Sequence, residues 1–168
     1  MIGKREITVL DEAYLKLANK KIIYVINSGG QPTASNSARV LATKSAQSGR
    51  NVMLCDTTGE SEKDTKEEIT AQISGLTIKS VSDNFSVLTE TYGASFFTSK
   101  TFNLTIKELT DRFDQVFVCA SNKNAQLGLM ALSELAPSIV MISSLRKTKK
   151  NDIKNIKTRQ PIDLLFYD

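Results

Sequence analysis

The chain has 168 residues, about one domain's worth, and its 40% apolar and 24% charged content is that of an ordinary globular fold, which excludes a disordered chain. It contains no histidine, which excludes Ser-His-Asp and Cys-His triads, histidine general bases and histidine metal sites. The net charge of +4 favours an anionic surface without naming one, and much of it falls late, in Arg146-Lys147-Thr148-Lys149-Lys150 and at Lys154, Lys157 and Arg159.

Residues 1–168 read as a single domain. Its N-terminus, MIGKREITVLDE, lacks an apolar leader segment, and no run approaches the ~18 apolar residues of a membrane span, so a soluble, cytoplasmic chain is expected. Leu10 to Ala18 has apolar residues at helical spacing and predicts a short amphipathic helix that ends at Asn19-Lys20-Lys21. Ile22 to Ile26 is a continuous β-branched run, the mark of a strand buried on both faces. Asn27 to Thr33 is a loop of turn residues containing Gly29-Gly30. A helix follows from about Ser35 to Ser48, with Gly49 as its C-terminal stop. Val52 to Cys55 is a second buried strand closing on Asp56, which completes a βαβ unit.

The charged stretch from Glu60 to Glu68 is expected to run into a helix reaching Ile73. Phe85 to Leu88 reads as a strand, Leu104 to Arg112 as a helix, and Val116 to Cys119 as a buried strand. Asn124 to Leu135 is then expected to be helical, Ile139 to Ile142 a strand, Lys149 to Lys157 a basic helix and Ile162 to Phe166 a last strand. Strands alternating with helices predict an α/β domain of three layers with a mostly parallel sheet. In such sheets ligands bind beyond the carboxyl ends of the strands, which directs attention to Ser28 to Asn36, Asp56 to Gly59 and Cys119 to Lys123.

A glycine-containing loop between a buried strand and a helix is where a phosphate-binding loop would sit, because backbone N–H groups and the helix N-terminus attract phosphate oxygens. A working G-x-x-x-x-G-K-[ST] loop also supplies a lysine, and none is present here. The segment VINSGGQPTASNSARVLA, Val25 to Ala42, resembles without gaps the strand, loop and helix of the bacterial tyrosine kinases. These are a branch of the MinD/ParA-like P-loop ATPases, with a motif of roughly VTSxxPGEGKSTxAxNLA. In that register the motif lysine falls on Ala34, the glycine before it on Thr33 and the first motif glycine near Gln31. The hydroxyl position is kept as Ser35 and the next threonine is Asn36. The family's ID-x-D motif resembles Leu54 to Thr58, keeping its first aspartate as Asp56 and replacing the second with Thr58. Its FDxVIIDTPP motif resembles Phe113 to Asn122, with the terminal aspartate falling on Cys119. Glu12 to Ala18 looks like the family's EAYRxLR oligomerisation helix with both arginines replaced, by Leu15 and Ala18.

The resemblance spans most of residues 12 to 145 and implies a P-loop-NTPase-like fold. In this class, phosphoryl transfer depends on the lysine, the magnesium ion and its carboxylates. Without them the expectation is an inactive, pseudokinase-like domain with weak or absent ATP and magnesium binding, no catalytic residue and no working metal site. Ser28, Gly29, Gly30, Gln31, Thr33, Ala34, Ser35 and Asn36 are the candidates for a vestigial phosphate or anion loop, and Asp56 for a vestigial metal ligand. Two blander readings stand beside these: Gly29-Gly30 as an ordinary strand-to-helix turn, and Asp56 and Asp114 as loop caps.

The setting that the resemblance implies is synthesis and export of surface polysaccharide, exopolysaccharide or capsule. The partner would be a membrane polysaccharide co-polymerase or chain-length regulator, met on its cytoplasmic face; homo-oligomers and peripheral contact with the inner membrane are left open, and nucleic acid is disfavoured. Two alternatives also stay open, a ParA/MinD-like protein that binds DNA or a membrane surface, and an active tyrosine kinase or ATPase with a divergent nucleotide site. Cys55 and Cys119 lack CxxC spacing and read as core residues of a reducing compartment. The strands that carry them are neighbours in the family, which would bring the two sulfurs near each other.

Overall fold

The computed structural model describes residues 4–28, 33–60, 68–144 and 161–167. It contains one sheet of eight strands, in the order β3-β4-β5-β2-β6-β1-β7-β8. The strands are β1 (Ile22–Asn27), β2 (Val52–Asp56), β3 (Glu68–Ile73), β4 (Leu76–Ser82), β5 (Phe85–Leu88), β6 (Gln115–Ala120), β7 (Ser138–Ser144) and β8 (Ile162–Tyr167). From β5 to β8 every pairing is parallel, while β3, β4 and β5 form antiparallel hairpins at one edge. The expected mostly parallel α/β sheet is therefore what the chain adopts.

Alternation along the central strands sorts side chains onto two faces. Ile23 and Val25 of β1, Leu54 of β2 and Phe117 and Cys119 of β6 face α1 (Lys4–Leu17) and α2 (Ala34–Gln47), which contribute Ala13, Leu17, Ala38, Leu41 and Ala42. Tyr24 and Ile26, Met53 and Cys55, and Val116 and Val118 face the other way. There they meet α3 (Ala94–Thr98), α4 (Phe102–Arg112) and α5 (Ala125–Leu132), through Phe96, Phe97, Phe102, Ile106, Leu109 and Leu132. The middle layer is apolar on both sides because every residue of β1, β2 and β6 is buried.

Helix α1 begins earlier than its periodicity predicts and is docked on its own domain. Gln115, 2% exposed, donates from Nε2 to the carbonyls of Leu17 (2.8 Å) and Lys20 (2.9 Å), and its Oε1 accepts from Ser45 of α2. One buried amide thus satisfies the last carbonyl of α1 and one in the turn that follows, and ties that helix to β6 and α2. Arg50 adds a hydrogen bond to the Tyr14 hydroxyl at 3.0 Å, and Lys44 pairs with Asp11. Leu15, where the resemblance would place an arginine, is 73% exposed.

One expectation fails outright. The helix expected to reach Ile73 is instead strand β3 over Glu68–Ile73, paired with a β4 that the sequence reading passed over. Residues Ser74 and Gly75 join the two strands, both with positive φ (49° and 81°), the backbone that a two-residue hairpin turn requires. The short helix α3 was also unanticipated. Residues 61–67 and the expected basic helix from Lys149 to Lys157 lie outside the described residues.

Candidate functional site

Parallel strands β1, β2 and β6 end side by side, so their carboxyl ends and the N-terminus of α2 frame the one place where the sequence predicted a ligand. Thr33 is the N-cap of α2: its backbone is extended (φ −76°, ψ 161°) and its Oγ1 accepts the Asn36 N–H at 3.1 Å. The same hydroxyl donates to Glu60 Oε2 at 3.1 Å, which places a carboxylate by the positive end of the helix. Ala34 follows, 2% exposed, and packs into the apolar layer with Val25 and Ala38. Its methyl is part of the core and offers no charge to a phosphate.

Ser35 and Asp56 are brought together. Ser35 Oγ donates to Asp56 Oδ2 at 2.5 Å, and both residues are buried. The other carboxylate oxygen, Oδ1, accepts the Thr58 N–H (2.8 Å) and the Thr58 hydroxyl (2.5 Å). This is an Asx turn, in which the carboxylate caps its own loop two residues on. Asp114 makes a long-range contact instead, accepting the Asn51 N–H at the entry to β2 at 2.7 Å. Ser28 is tied to β7, with its Oγ 2.9 Å from Ser143 Oγ and its N–H donating to the Ile142 carbonyl at 3.0 Å. Gly29, Gly30, Gln31 and Pro32 lie outside the described residues.

Cys119 aligns with Asp56 in the β2–β6 register, while Cys55 aligns with Val118. The two cysteines therefore sit on opposite faces of the sheet, Cys119 toward α2 and Cys55 toward α4. Neighbouring strands do bring Cys55 close enough to act on Cys119, but one step in register puts the two side chains on opposite faces. Both thiols are free. Burial first, and then the adjacent Asp56 carboxylate, push the Cys119 thiol well above its ordinary value, so it is protonated at neutral pH.

Thr57 and Thr91 complete the frame and were not singled out in the sequence. Thr57 donates its N–H (3.1 Å) and hydroxyl (2.8 Å) to the Cys119 carbonyl, and Thr91 Oγ1 donates to the Asp56 carbonyl at 2.8 Å. These bonds lock the ends of β2 and β6 and the segment after β5 to one another. The only hint was their position just past apolar strands, where hydroxyl residues pick up free carbonyls.

The structure is similar to the crystal structure of the VpsO kinase domain, with a TM-score of 0.72 and 12% identity over 98% of this chain and 97% of that one. It is similar also to the kinase domain of the Escherichia coli tyrosine kinase ETK, with a TM-score of 0.63 and 12% identity over 95% of this chain and 72% of that one. The chimerical protein CapA2B2 matches with a TM-score of 0.68 and 15% identity, over 96% of this chain and 84% of that one. The fold is that of the bacterial tyrosine-kinase domains. No family model matches the sequence, and no curated protein does either.

With the kinase fold in hand, the fit of magnesium and ATP is a question about side chains. Magnesium is held by one or two carboxylates, waters and phosphate oxygens in octahedral geometry. Here both oxygens of Asp56 are engaged by Ser35 and Thr58, and the facing group on β6 is a neutral thiol. Among the described residues no group of three or more His, Cys, Asp or Glu could hold a metal ion. Among the described residues, Ser35, Asp56 and Thr58 form a hydrogen-bonded network around the buried Asp56 carboxylate.

Burial gives the network's surroundings a pH signature. It is the leading cause that pushes Cys55, Cys119 and Tyr24 above their ordinary values. As pH rises past the ordinary thiol value of 9.0, and for Tyr24 past the ordinary phenol value of 10.0, the unfolded chain releases these protons and the folded chain keeps them. Stability is then full below that pH and falls above it, by up to about 1.4 kcal/mol per pH unit for each group. Urea midpoints measured from pH 7 to 10 should decline more steeply in the natural chain than in a Cys55→Ala/Cys119→Ala variant. Parallel declines would show that these thiols do not carry the effect.

Proposed function

We propose that this chain is a catalytically inactive domain of the tyrosine-kinase fold that acts by binding a partner in the synthesis and export of bacterial surface polysaccharide. The observation that carries the reading is the Ser35–Asp56–Thr58 network: the kept hydroxyl and the kept carboxylate bond each other, with Ala34 buried in the core before Ser35 and a protonated Cys119 opposite Asp56 on β6. Phosphoryl transfer in this class is positioning plus charge stabilisation, and the side chains at these positions supply neither a cation nor a free carboxylate. A membrane polysaccharide co-polymerase or chain-length regulator, met on its cytoplasmic face, is the partner that the resemblance over residues 12 to 145 suggests. Among the described residues no helix is long and apolar enough to cross a membrane.

Calorimetric titration of the purified chain with magnesium and ATP is expected to show no saturable binding up to millimolar nucleotide, and incubation with labelled ATP no tyrosine phosphorylation. Micromolar, magnesium-dependent ATP binding would overturn the reading. Co-expression with a membrane co-polymerase should give a complex that survives detergent extraction.

A further inference from the structure

Tyr14 of α1 brings a phenol to a point where the chain gathers positive charge. Its ring packs against the apolar layer under α2, and the residue is partly exposed. Arg50, just past the C-terminal turn of α2, donates from Nη1 to Tyr14 Oη at 3.0 Å and to Ser48 Oγ at 3.3 Å. Lys44 reaches the same junction from α2 and pairs with Asp11, one turn before Tyr14. The Ser48 hydroxyl first, and then Arg50 and Lys44, hold the phenol below its ordinary value against the upward pull of burial. Among the described residues Arg50 has no carboxylate partner.

A guanidinium carries its donors in a planar fork that matches two oxygens of a phosphate, and a lone phenol oxygen uses only one of them. A phosphoryl group on Tyr14 would add about −1.5 to −2 charge at neutral pH, with three acceptor oxygens, beside two cations and the single Asp11 carboxylate. The negative end of the α2 dipole opposes an anion there, but its last carbonyls are already capped: Ser48 N–H bonds to the Lys44 and Ser45 carbonyls at 3.2 and 3.1 Å, and Gly49 N–H to the Ala46 carbonyl at 3.0 Å. A charge-assisted arginine–phosphate pair is the stronger effect. Access is through α1: of residues 11–17 it buries only Ala13 and Leu17, so these turns can open while the sheet stays folded. Tyr92 makes the contrast. It is 61% exposed but hydrogen-bonds to no lysine or arginine among the described residues, so a phosphoryl group there gains no such partner.

We propose that Tyr14 is a phosphorylation site whose phosphoryl group is received by Arg50 and Lys44, fastening α1 to α2. The donor is ATP held by a separate protein-tyrosine kinase: the bond from Tyr14 Oη to the γ-phosphorus forms, the bond from that phosphorus to the β,γ-bridging oxygen breaks, ADP leaves and the phenol proton passes to the kinase's base. This is independent of whether the strand-end network binds nucleotide. Treating the full chain with a broad-specificity tyrosine kinase and ATP, followed by mass spectrometry, should locate phosphate on Tyr14. In full chain made with phosphotyrosine at position 14, phosphorus NMR should show the second ionisation about half a unit or more below its ordinary value of about 6, because the cations favour the dianion. Its Tm should exceed that of the unmodified chain by about 2–4 °C. Arg50→Gln should return both readings to baseline and Lys44→Gln should reduce them, while phosphotyrosine at position 92 should give neither. No phosphate at Tyr14, an unshifted ionisation, an unchanged or lower Tm, effects that survive Arg50→Gln, or the same effects at position 92 would each overturn the proposal.

Discussion

Replacing Cys119 with aspartate is expected to destabilise the chain by about 3–5 kcal/mol in magnesium-free buffer, because the new carboxylate would be buried beside Asp56 with no cation between them. Position 119 is 0% exposed and aligns with Asp56 across the β2–β6 ladder, so the added charge has no route to solvent. Ser35 and Thr58 already occupy the Asp56 oxygens and have no further charge to offer. The neutral Cys119→Asn variant should lose less, since it brings polarity without like-charge repulsion. Magnesium should separate the two variants. If the aspartate variant binds the ion with millimolar affinity, 10 mM magnesium restores about 1.4 kcal/mol, while the natural chain and Cys119→Asn do not respond. Thermal or urea unfolding with and without magnesium reads this directly. An aspartate variant as stable as the natural chain, or one indifferent to magnesium, would remove positions 56 and 119 from a common cation site.

The central strands were legible because burial on both faces leaves continuous β-branched runs such as Ile22 to Ile26, which helical spacing does not imitate. Helix α2 was equally plain, with Ala38, Leu41, Ala42 and Ala46 on one stripe and Gly49 just beyond it at φ 94°. The edge hairpin was not, because Ile69 and Ile73 are spaced as on a helix and follow a charged run. The competing signal was short, a Ser-Gly pair between two β-rich segments, and turn chemistry overrode periodicity there. Half-exposed β4, with Ile78 buried and Lys79 partly exposed beside it, carries too weak an alternation to announce itself. Helix α3 spans five residues, too few for a periodic pattern.

At the site, the sequence named Ser35 and Asp56 separately, but their hydrogen bond depends on how α2 lies over β2, which no local pattern encodes. The Asp-Thr-Thr run did carry a readable signal. An aspartate with a hydroxyl residue two positions on is an Asx turn as readily as a metal motif, and Thr58 completes that turn. That Cys55 and Cys119 take opposite faces was illegible for a different reason. Strand adjacency was expected correctly, but facing depends on register, and register comes from the whole sheet.

Gly128 is the position where one methyl group should matter most. It lies in α5 over Tyr24, and a Cβ there would stand 2.0 Å from the Tyr24 hydroxyl oxygen, 2.6 Å from Cζ and 2.9 Å from the Phe97 ring. Tyr24 cannot retreat: it is 0% exposed in the middle strand, its hydroxyl donates to the Ala125 carbonyl at 2.8 Å, and its ring meets Phe97 edge to face at 6.3 Å. Gly128→Ala gains about 1 kcal/mol of helix propensity. Overpacking of up to about 3 kcal/mol, together with a buried phenol pushed off its carbonyl at about 1–3 kcal/mol, outweighs that gain. A net loss of about 3 kcal/mol is expected, or roughly 6–12 °C in Tm for a chain of this size. Tyr24→Phe alone should cost about 0.5–1.5 kcal/mol, the net worth of the hydroxyl's bond to the Ala125 carbonyl. In the double variant the shortest clash is gone, so the combined loss should fall short of the sum of the single losses by about 1 kcal/mol or more. Strict additivity would mean that the glycine is held by something other than the tyrosine beneath it.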